Sequence, residues 1–276
     1  MSAPAVSAAG KVALVSGGAR GIGAAIADGL LAIGARVAIL DVDAAALEAC
    51  PTDRLKIEAD IADPAACEAA VRQVEEAHGR LDVLVNNAGL GMGLIREDHF
   101  AAPVRLSEIA PEHWRRIFEV NCMGAFLMAR AAVPTMAARG WGRMINVTTS
   151  FFTMLSIGFA PYGPAKAALE SASAIWAREF AGTGVTVNVL IPGGPTDTRM
   201  VPASAPFARS AMIPATALAP PAQWLASPAS DGVTGRRFVA GLWDPALPPE
   251  QAAAAAGAPI AWPGLANEGR VWPAAN

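Results

Sequence analysis

Apolar and polar positions along the chain fall into two alternating rhythms. Val12–Val15 is a short apolar run rich in β-branched residues, which predicts a buried strand. Ile22, Ile26, Leu30 and Ile33 then recur at helical spacing, and Gly34 stops the run as a C-terminal cap would. Ala35–Leu40 returns to the strand pattern with Asp41 at its end. The alternation continues. A short helix over Ala44–Ala49 leads to a strand over Leu55–Ala59. Asp63-Pro64 opens a helix that runs to His78 and stops at Gly79, with a capping acid and a first-turn proline. Leu81–Val85 is a fourth strand. Pro111–Met136 is a helix apolar round most of its circumference, which predicts burial on two sides. Arg143–Thr148 is a strand, Tyr162–Phe180 a helix and Val185–Ile191 a strand. A short helix over Ala222–Ala226 and a strand over Phe238–Ala240 end the series. Strands alternating with helices predict an α/β fold, a doubly wound parallel sheet of Rossmann type, as one domain over residues 11–244.

Three stretches stand outside the rhythm. Residues 1–10 read as a disordered N-terminus. Gly91–Ala110 is a polar, glycine-containing loop without period, placed to help wall a substrate site. About residues 195–222 are rich in Met, Ala and Pro and read as a loop that covers substrate and excludes water. Residues 245–276 form an Ala/Pro-rich tail in which Trp262, Val271 and Trp272 stand out, for docking on a neighbouring subunit or capping the site.

Composition narrows the partners. The chain has 276 residues, 53% of them hydrophobic and only 16% charged, as a sheet covered on both faces requires. A net charge of −3 and the lack of a basic run argue against nucleic acid or an anionic membrane as partner. Cys50, Cys67 and Cys122 are scattered and form no C-x-x-C. This fits a reducing, cytoplasmic compartment and argues against a disulfide framework or a structural zinc. His78, His99 and His113 are not spaced as metal ligands, so no metal site is expected. Met1–Gly10 lacks the charged start and apolar core of a secretion signal, and no apolar run reads as long enough to span a membrane.

The candidate chemistry lies at the ends of the strands. Gly17, Arg20, Gly21, Ile22 and Gly23 make a glycine-rich turn between the first strand and helix. Backbone there can approach a pyrophosphate, and the helix start offers free N–H groups. Asp41 follows 18 residues after Gly23, where a ribose-binding carboxylate belongs. Asp60, at another strand tip, is placed to meet the adenine end, whereas Asp63 is more simply a helix cap. Tyr162 is the only tyrosine and lies four residues before Lys166, so both share a helix face. A nearby cation lowers a phenol's pKa toward the range useful in acid–base catalysis.

Gly17-x-x-x-Gly21-x-Gly23, Asn86-Asn87-Ala88-Gly89, Asn121, Tyr162-x-x-x-Lys166 and Pro192-Gly193 occur in that order. With this set the chain resembles the short-chain dehydrogenase/reductase family over about residues 11–241. The resemblance implies a seven-stranded parallel sheet, a nicotinamide cofactor and hydride transfer at an alcohol or carbonyl carbon. It implies cofactor contacts at Gly17, Gly21, Ile22, Gly23, Asp41, Asp60, Ile61, Asn87, Ala88, Gly89, Tyr162, Lys166, Pro192 and Gly193. A threonine after Pro192-Gly193 should hold the carboxamide, and Thr196 and Thr198 both qualify. Asn121 is implied to hold a water that links Lys166 to solvent. The family's catalytic serine falls on Thr149 in one register, while Ser150, one residue late, carries the usual hydroxyl. Phe151, Phe152, Met154, Leu155 and Phe159 either line an apolar pocket or belong to the core.

The expected function is therefore NAD-dependent interconversion of a secondary alcohol and a ketone, on a hydrophobic or aromatic small molecule. Asp41 disfavours NADP, and Arg20 in the turn is the opposing feature. A homo-tetramer or dimer, built on the Pro111–Met136 and Tyr162–Phe180 helices, follows from the resemblance. The alternative is a Rossmann-fold nucleotide sensor or scaffold without catalysis; a dehydratase or epimerase on the same frame is disfavoured by length.

Overall fold

A computed structural model describes residues 6–265. Its main strands are β1 (Val12–Ser16), β2 (Arg36–Asp41), β3 (Leu55–Glu58), β4 (Val83–Asn86), β5 (Gly142–Val147) and β6 (Val185–Ile191). Two short strands, β7 (Thr196–Asp197) and β8 (Ile213–Pro214), precede β9 (Arg236–Val239) and β10 (Gly257–Pro259). The helices are α1 (Gly21–Ala32), α2 (Ala44–Ala49), α3 (Pro64–His78), α4 (Pro111–Phe118), α5 (Ala125–Ala138), α6 (Phe151–Leu155), α7 (Tyr162–Glu179), α8 (Ala219–Leu225) and α9 (Pro249–Ala256).

The sheet runs β10-β9-β6-β5-β4-β1-β2-β3, with β10 antiparallel and the other pairs parallel. Its two faces follow from the period of two along each strand. Ala13 and Val15 point into one cluster with Ile26 and Leu30 of α1 and Ala222 of α8. Val12 and Leu14 point into the other with Val71 of α3 and Met128 of α5. The chain reverses its direction of winding between β1 and β4. In such sheets the carboxyl ends of the strands part there and leave a crevice for ligand.

Several expectations change. The N-terminal stretch is docked as far as it is described. Ala8 is buried, and its amide donates to the Ile33 carbonyl at 2.8 Å. Residues 245–265 carry α9 and an eighth strand; Val271 and Trp272 of the predicted tail lie outside the described residues. The 195–222 segment is shorter as a loop than predicted. Leu218 and Ala222 are fully buried and α8 packs on α1, where Ala219 fills the space beside Gly29. The long helix runs from Pro111 to Ala138 with a π-helical turn over Glu119–Gly124. By length and composition this 28-residue helix could cross a membrane, contrary to the sequence expectation. Instead its apolar face packs into the fold, with Ile117, Leu127, Met128, Ala132 and Met136 all buried.

Candidate active site

The site is assembled from the carboxyl ends of β1, β2, β4, β5 and β6 and the segments that leave them. Gly17 and Gly21 adopt φ of +62° and +54°, which a side chain disfavours. A Cβ on Gly23 would run into the Gly17 carbonyl oxygen, so the turn closes only with glycine there. Arg20 stands at the N-cap of α1 in extended backbone and provides no side-chain cap. The first amides of α1 are left for an anion, and the helix dipole favours one. Ile22 packs its side chain on the core, leaving its amide as the polar group at the turn.

Asn87 fastens this turn to β4. Its side-chain amide donates to the carbonyls of Ser16 and Gly17, both at 3.0 Å. The Ser16 hydroxyl accepts from the amides of Asn87 and Ala88 at 3.1 and 3.2 Å. Asp41, at the end of β2, accepts from the amides of Ala19 and Asp43 at 3.3 and 3.2 Å. Arg20 is ion-paired with Asp43. Pro192 and Gly193 follow β6, with Gly193 at φ +102° and the Pro192 carbonyl accepting from Gly241. Thr198 faces the glycine turn, its methyl 3.1 Å from where a Gly21 Cβ would stand. Thr196 is buried in the two-residue ribbon β7–β8. Of the two threonines, only Thr198 is beside the turn. Ile61 is buried against Gly124. The Asp60 carboxylate accepts from Arg116 at 2.6 Å and from the Ala62 amide at 2.9 Å. The two positive-φ glycines, the uncapped helix start and the carboxylate at the tip of β2 together fit a dinucleotide.

The second half of the site hangs on one face of α7. Tyr162 opens the helix, and the Thr149 side chain lies near enough to its phenol to act on its pKa. Ser150 is engaged elsewhere, since its hydroxyl caps α6 and accepts from the Thr153 amide at 3.0 Å. Of the two candidate hydroxyls, Thr149 is the one against the phenol. Lys166 is 4% exposed, and its ammonium donates to the Val147 carbonyl at 2.8 Å. Burial pulls its pKa down to about 8, with Cys122 opposing the fall. The phenol behaves differently from expectation. Burial raises its pKa and the nearby Thr149 side chain opposes the rise, whereas the Lys166 ammonium donates to the Val147 carbonyl. Asn121 sits on the π-turn, where the sequence placed it mid-helix. Its side chain accepts from the Leu90 amide at 2.7 Å and donates to the Leu90 carbonyl at 2.9 Å. The amide expected to hold a water is thus engaged with main chain. Gly89 completes this corner, since a Cβ there would lie 3.3 Å from the Asn121 Oδ1 and 3.5 Å from the Lys166 Nζ.

A profile of the short chain dehydrogenases matches residues 11–207. The chain belongs to the short-chain dehydrogenase/reductase family. The 3-oxoacyl-[acyl-carrier-protein] reductase FabG of Escherichia coli is 36% identical over 188 residues, 67% of this chain and 73% of that protein. Among solved structures, a dehydrogenase/reductase from Sinorhizobium meliloti superposes with a TM-score of 0.72 at 32% identity, covering 85% of this chain and 94% of that one. A 3-ketoacyl-(acyl-carrier-protein) reductase from Brucella melitensis complexed with NADH gives 0.72 at 29% identity, covering 82% and 94%. The chain is an oxidoreductase of a family that binds nicotinamide cofactors, acts on small molecules and typically assembles into oligomers.

A group of aromatic rings adjoins Tyr162. Phe159 meets Tyr162 edge-on at 6.5 Å between ring centroids. Phe100, from the 91–110 loop, packs on Phe159 at 5.8 Å, and Phe207 of the 195–222 segment on Phe100 at 5.1 Å. The 91–110 loop thus packs on the aromatic ring beside Tyr162. Of the other residues expected to line a pocket, Met154 is core. Phe151, Phe152, Leu155, Ser156 and Ile157 border an open basin of ≈ 480 Å³, with Phe152 83% and Leu155 87% exposed. Ser16, Asp43 and Leu90 went unread in the sequence. A hydroxyl directly before the glycine turn and a second acid two residues past Asp41 were visible signals for the first two; nothing local marked Leu90.

Proposed function

We propose that this short-chain dehydrogenase interconverts a secondary alcohol and a ketone carried on a hydrophobic or aromatic small molecule, with NAD(H) as cofactor. The observation that carries the reading is the Thr149 side chain beside the Tyr162 phenol, with the buried Lys166 one helical turn beyond that tyrosine. The nicotinamide supplies or takes up the hydride when it is bound; the chain does the rest. Thr149 donates to the substrate oxygen as charge builds there. Tyr162 gives that oxygen a proton in reduction and takes it back in oxidation. The phenol is the protonated partner from which reduction draws its proton. Lys166 is predominantly a cation below its pKa of about 8 and is positioned to hold the nicotinamide ribose.

NAD is favoured over NADP because a 2′-phosphate would meet the Asp41 carboxylate at close range. The arginine that could welcome the phosphate, Arg20, is already paired with Asp43. In support, the Brucella reductase is complexed with NADH and FabG is a 3-oxoacyl-[acyl-carrier-protein] reductase. Three free thiols favour a cytoplasmic location. Trp114, Met123 and Phe126 of the long helix and Ile175 of α7 are exposed, Ile175 by 61%, and supply the apolar surface for a homo-tetramer. The decisive test is a panel of aryl alkyl ketones with NADH or NADPH, followed by loss of cofactor absorbance. Turnover with the higher kcat/KM on NADH is expected; no turnover of any ketone, with NADH still bound, would leave only a nucleotide-binding protein.

A further inference from the structure

The face of α7 that carries Tyr162 and Lys166 continues, one turn on, to Glu170. Its carboxylate is fully buried and is met from three directions. The Thr148 hydroxyl donates to Oε2 at 2.8 Å. Arg237 of β9 donates through Nε to Oε1 at 3.0 Å, and the Ala261 amide donates to the same oxygen at 3.2 Å. Arg237 in turn donates through Nη2 to the Thr149 carbonyl at 2.9 Å and lies over the Phe151 ring, 3.9 Å from its centroid. Trp262 covers the far side of this group, 5.6 Å from Phe151.

What makes the pair informative is where the ladder ends. The last register pair of β5 and β6 is Val147 with Leu190, followed by the single bond from the Thr148 amide to the Leu190 carbonyl. Thr149 is past the sheet, so its main chain needs another anchor. An ion pair taken out of water carries a desolvation penalty that an apolar pair would avoid. Its place here, against the Thr148 hydroxyl and the Thr149 carbonyl, calls for a geometric reason.

We propose that Glu170 and Arg237 are positioning residues for the reaction: the buried pair fixes the Thr148–Thr149 main chain so that the Thr149 hydroxyl stays against the Tyr162 phenol. This rests on the reading of Thr149 and Tyr162 given above. Neither Glu170 nor Arg237 touches substrate; they act through Thr149.

The test uses the full chain and the double variant Glu170→Leu/Arg237→Met. That variant swaps the pair for apolar side chains of similar bulk, a change that often leaves a fold as stable or more so. Thermal unfolding and NADH affinity should stay near wild type. With an aryl alkyl ketone, kcat should fall on the order of 10- to 100-fold, the scale of a displaced hydrogen-bond donor, with KM little changed. The deuterium isotope effect from 4-deuterated NADH should rise as hydride transfer becomes limiting. Thr149→Ala should cost much less in the double-variant background than in wild type, because the hydroxyl is already misplaced. A folded double variant with kcat within about twofold of wild type, or one in which Thr149→Ala costs the same as in wild type, overturns the proposal. A readout that needs no substrate separates this from the site reading. Tyr162 is the sole tyrosine, so phenolate absorbance against pH reports on it alone. Its midpoint should move upward in the double variant as it does in Thr149→Ala. That movement without ketone turnover in wild type would leave the positioning intact and refute the assigned reaction; an unmoved midpoint refutes the positioning.

Discussion

Lys166 should make the free enzyme less stable than it would be without the charge. The amine is buried and its pKa falls from an ordinary 10.5 to about 8, which corresponds to about 3 kcal/mol against the charged form in the fold. Lys166→Met keeps the length of the stem and removes the charge. The Val147 carbonyl loses its donor, at a cost of about 1 kcal/mol, so a net gain of about 2 kcal/mol is expected at pH 7. In a chain of this size that raises Tm by roughly 5 °C. The sign with pH follows from proton counts. Below pH 8 folded and unfolded chains both hold the proton and the penalty is complete. Between pH 8 and 10.5 the unfolded chain holds it and the folded chain does not, so wild-type stability contributed by this group rises with pH. The gap between variant and wild type should therefore close across that window and end with the variant slightly the weaker. Calorimetry or guanidinium unfolding of the cofactor-free proteins at pH 7 and pH 10, at equal protein concentration, measures it. A variant less stable than wild type at pH 7, or a gap indifferent to pH, would refute the reasoning. The same variant should bind NADH more weakly and lose turnover, so a destabilising group is kept for its chemistry.

Tyr162→Phe keeps the ring and its contact with Phe159 and removes one oxygen; kcat should fall by about 10²–10⁴ with NADH affinity near wild type, and retention of most activity on a good ketone would sink the mechanism. Thr149→Ala should lower kcat by at least about tenfold more than Ser150→Ala, whose main effect is the loss of the α6 cap and about 1 kcal/mol of stability; the reverse ranking in steady-state kinetics would move the donor to Ser150. Light scattering at micromolar concentration should give a tetramer, and Ile175→Asp should shift it to smaller species; a wild-type monomer would remove the assembly proposal.

The fold was legible because its signals are local. The Gly34, Gly79 and Pro64 markers fall at the ends of α1 and α3, and both Gly34 and Gly79 take positive φ. The strands came within a residue or two for the same reason: each is a short apolar run between breakers. The elements that were missed lack such signals. β10 is Gly257-Ala258-Pro259, with nothing β-branched, and α6 is a single turn fixed by the Ser150 cap. The site divides in the same way. Gly17, Gly23, Asp41, Tyr162 and Lys166 are recognisable from spacing. Arg237 lies 67 residues from Glu170, and Leu90 lies 31 from Asn121. Contacts of that span are made by topology and leave no period to read. The phenol's pKa was misjudged because helical spacing puts Lys166 on the same face without fixing which oxygen its ammonium reaches.

The two ends of the sheet bear on how copies of this chain can and cannot meet. On one side the outermost strand is β10, three residues long, antiparallel to its neighbour and closing on Pro259, which has no N–H to offer. On the other it is β3, four residues long, with Lys56 and Glu58 on it. Short, charged or proline-bearing rims give an incoming strand little to pair with, so growth of the sheet from one molecule into the next is discouraged at both ends. A chain that is more than half hydrophobic and exposes Phe152, Leu155 and Ile157 is in this way steered from fibre-like stacking of sheet on sheet.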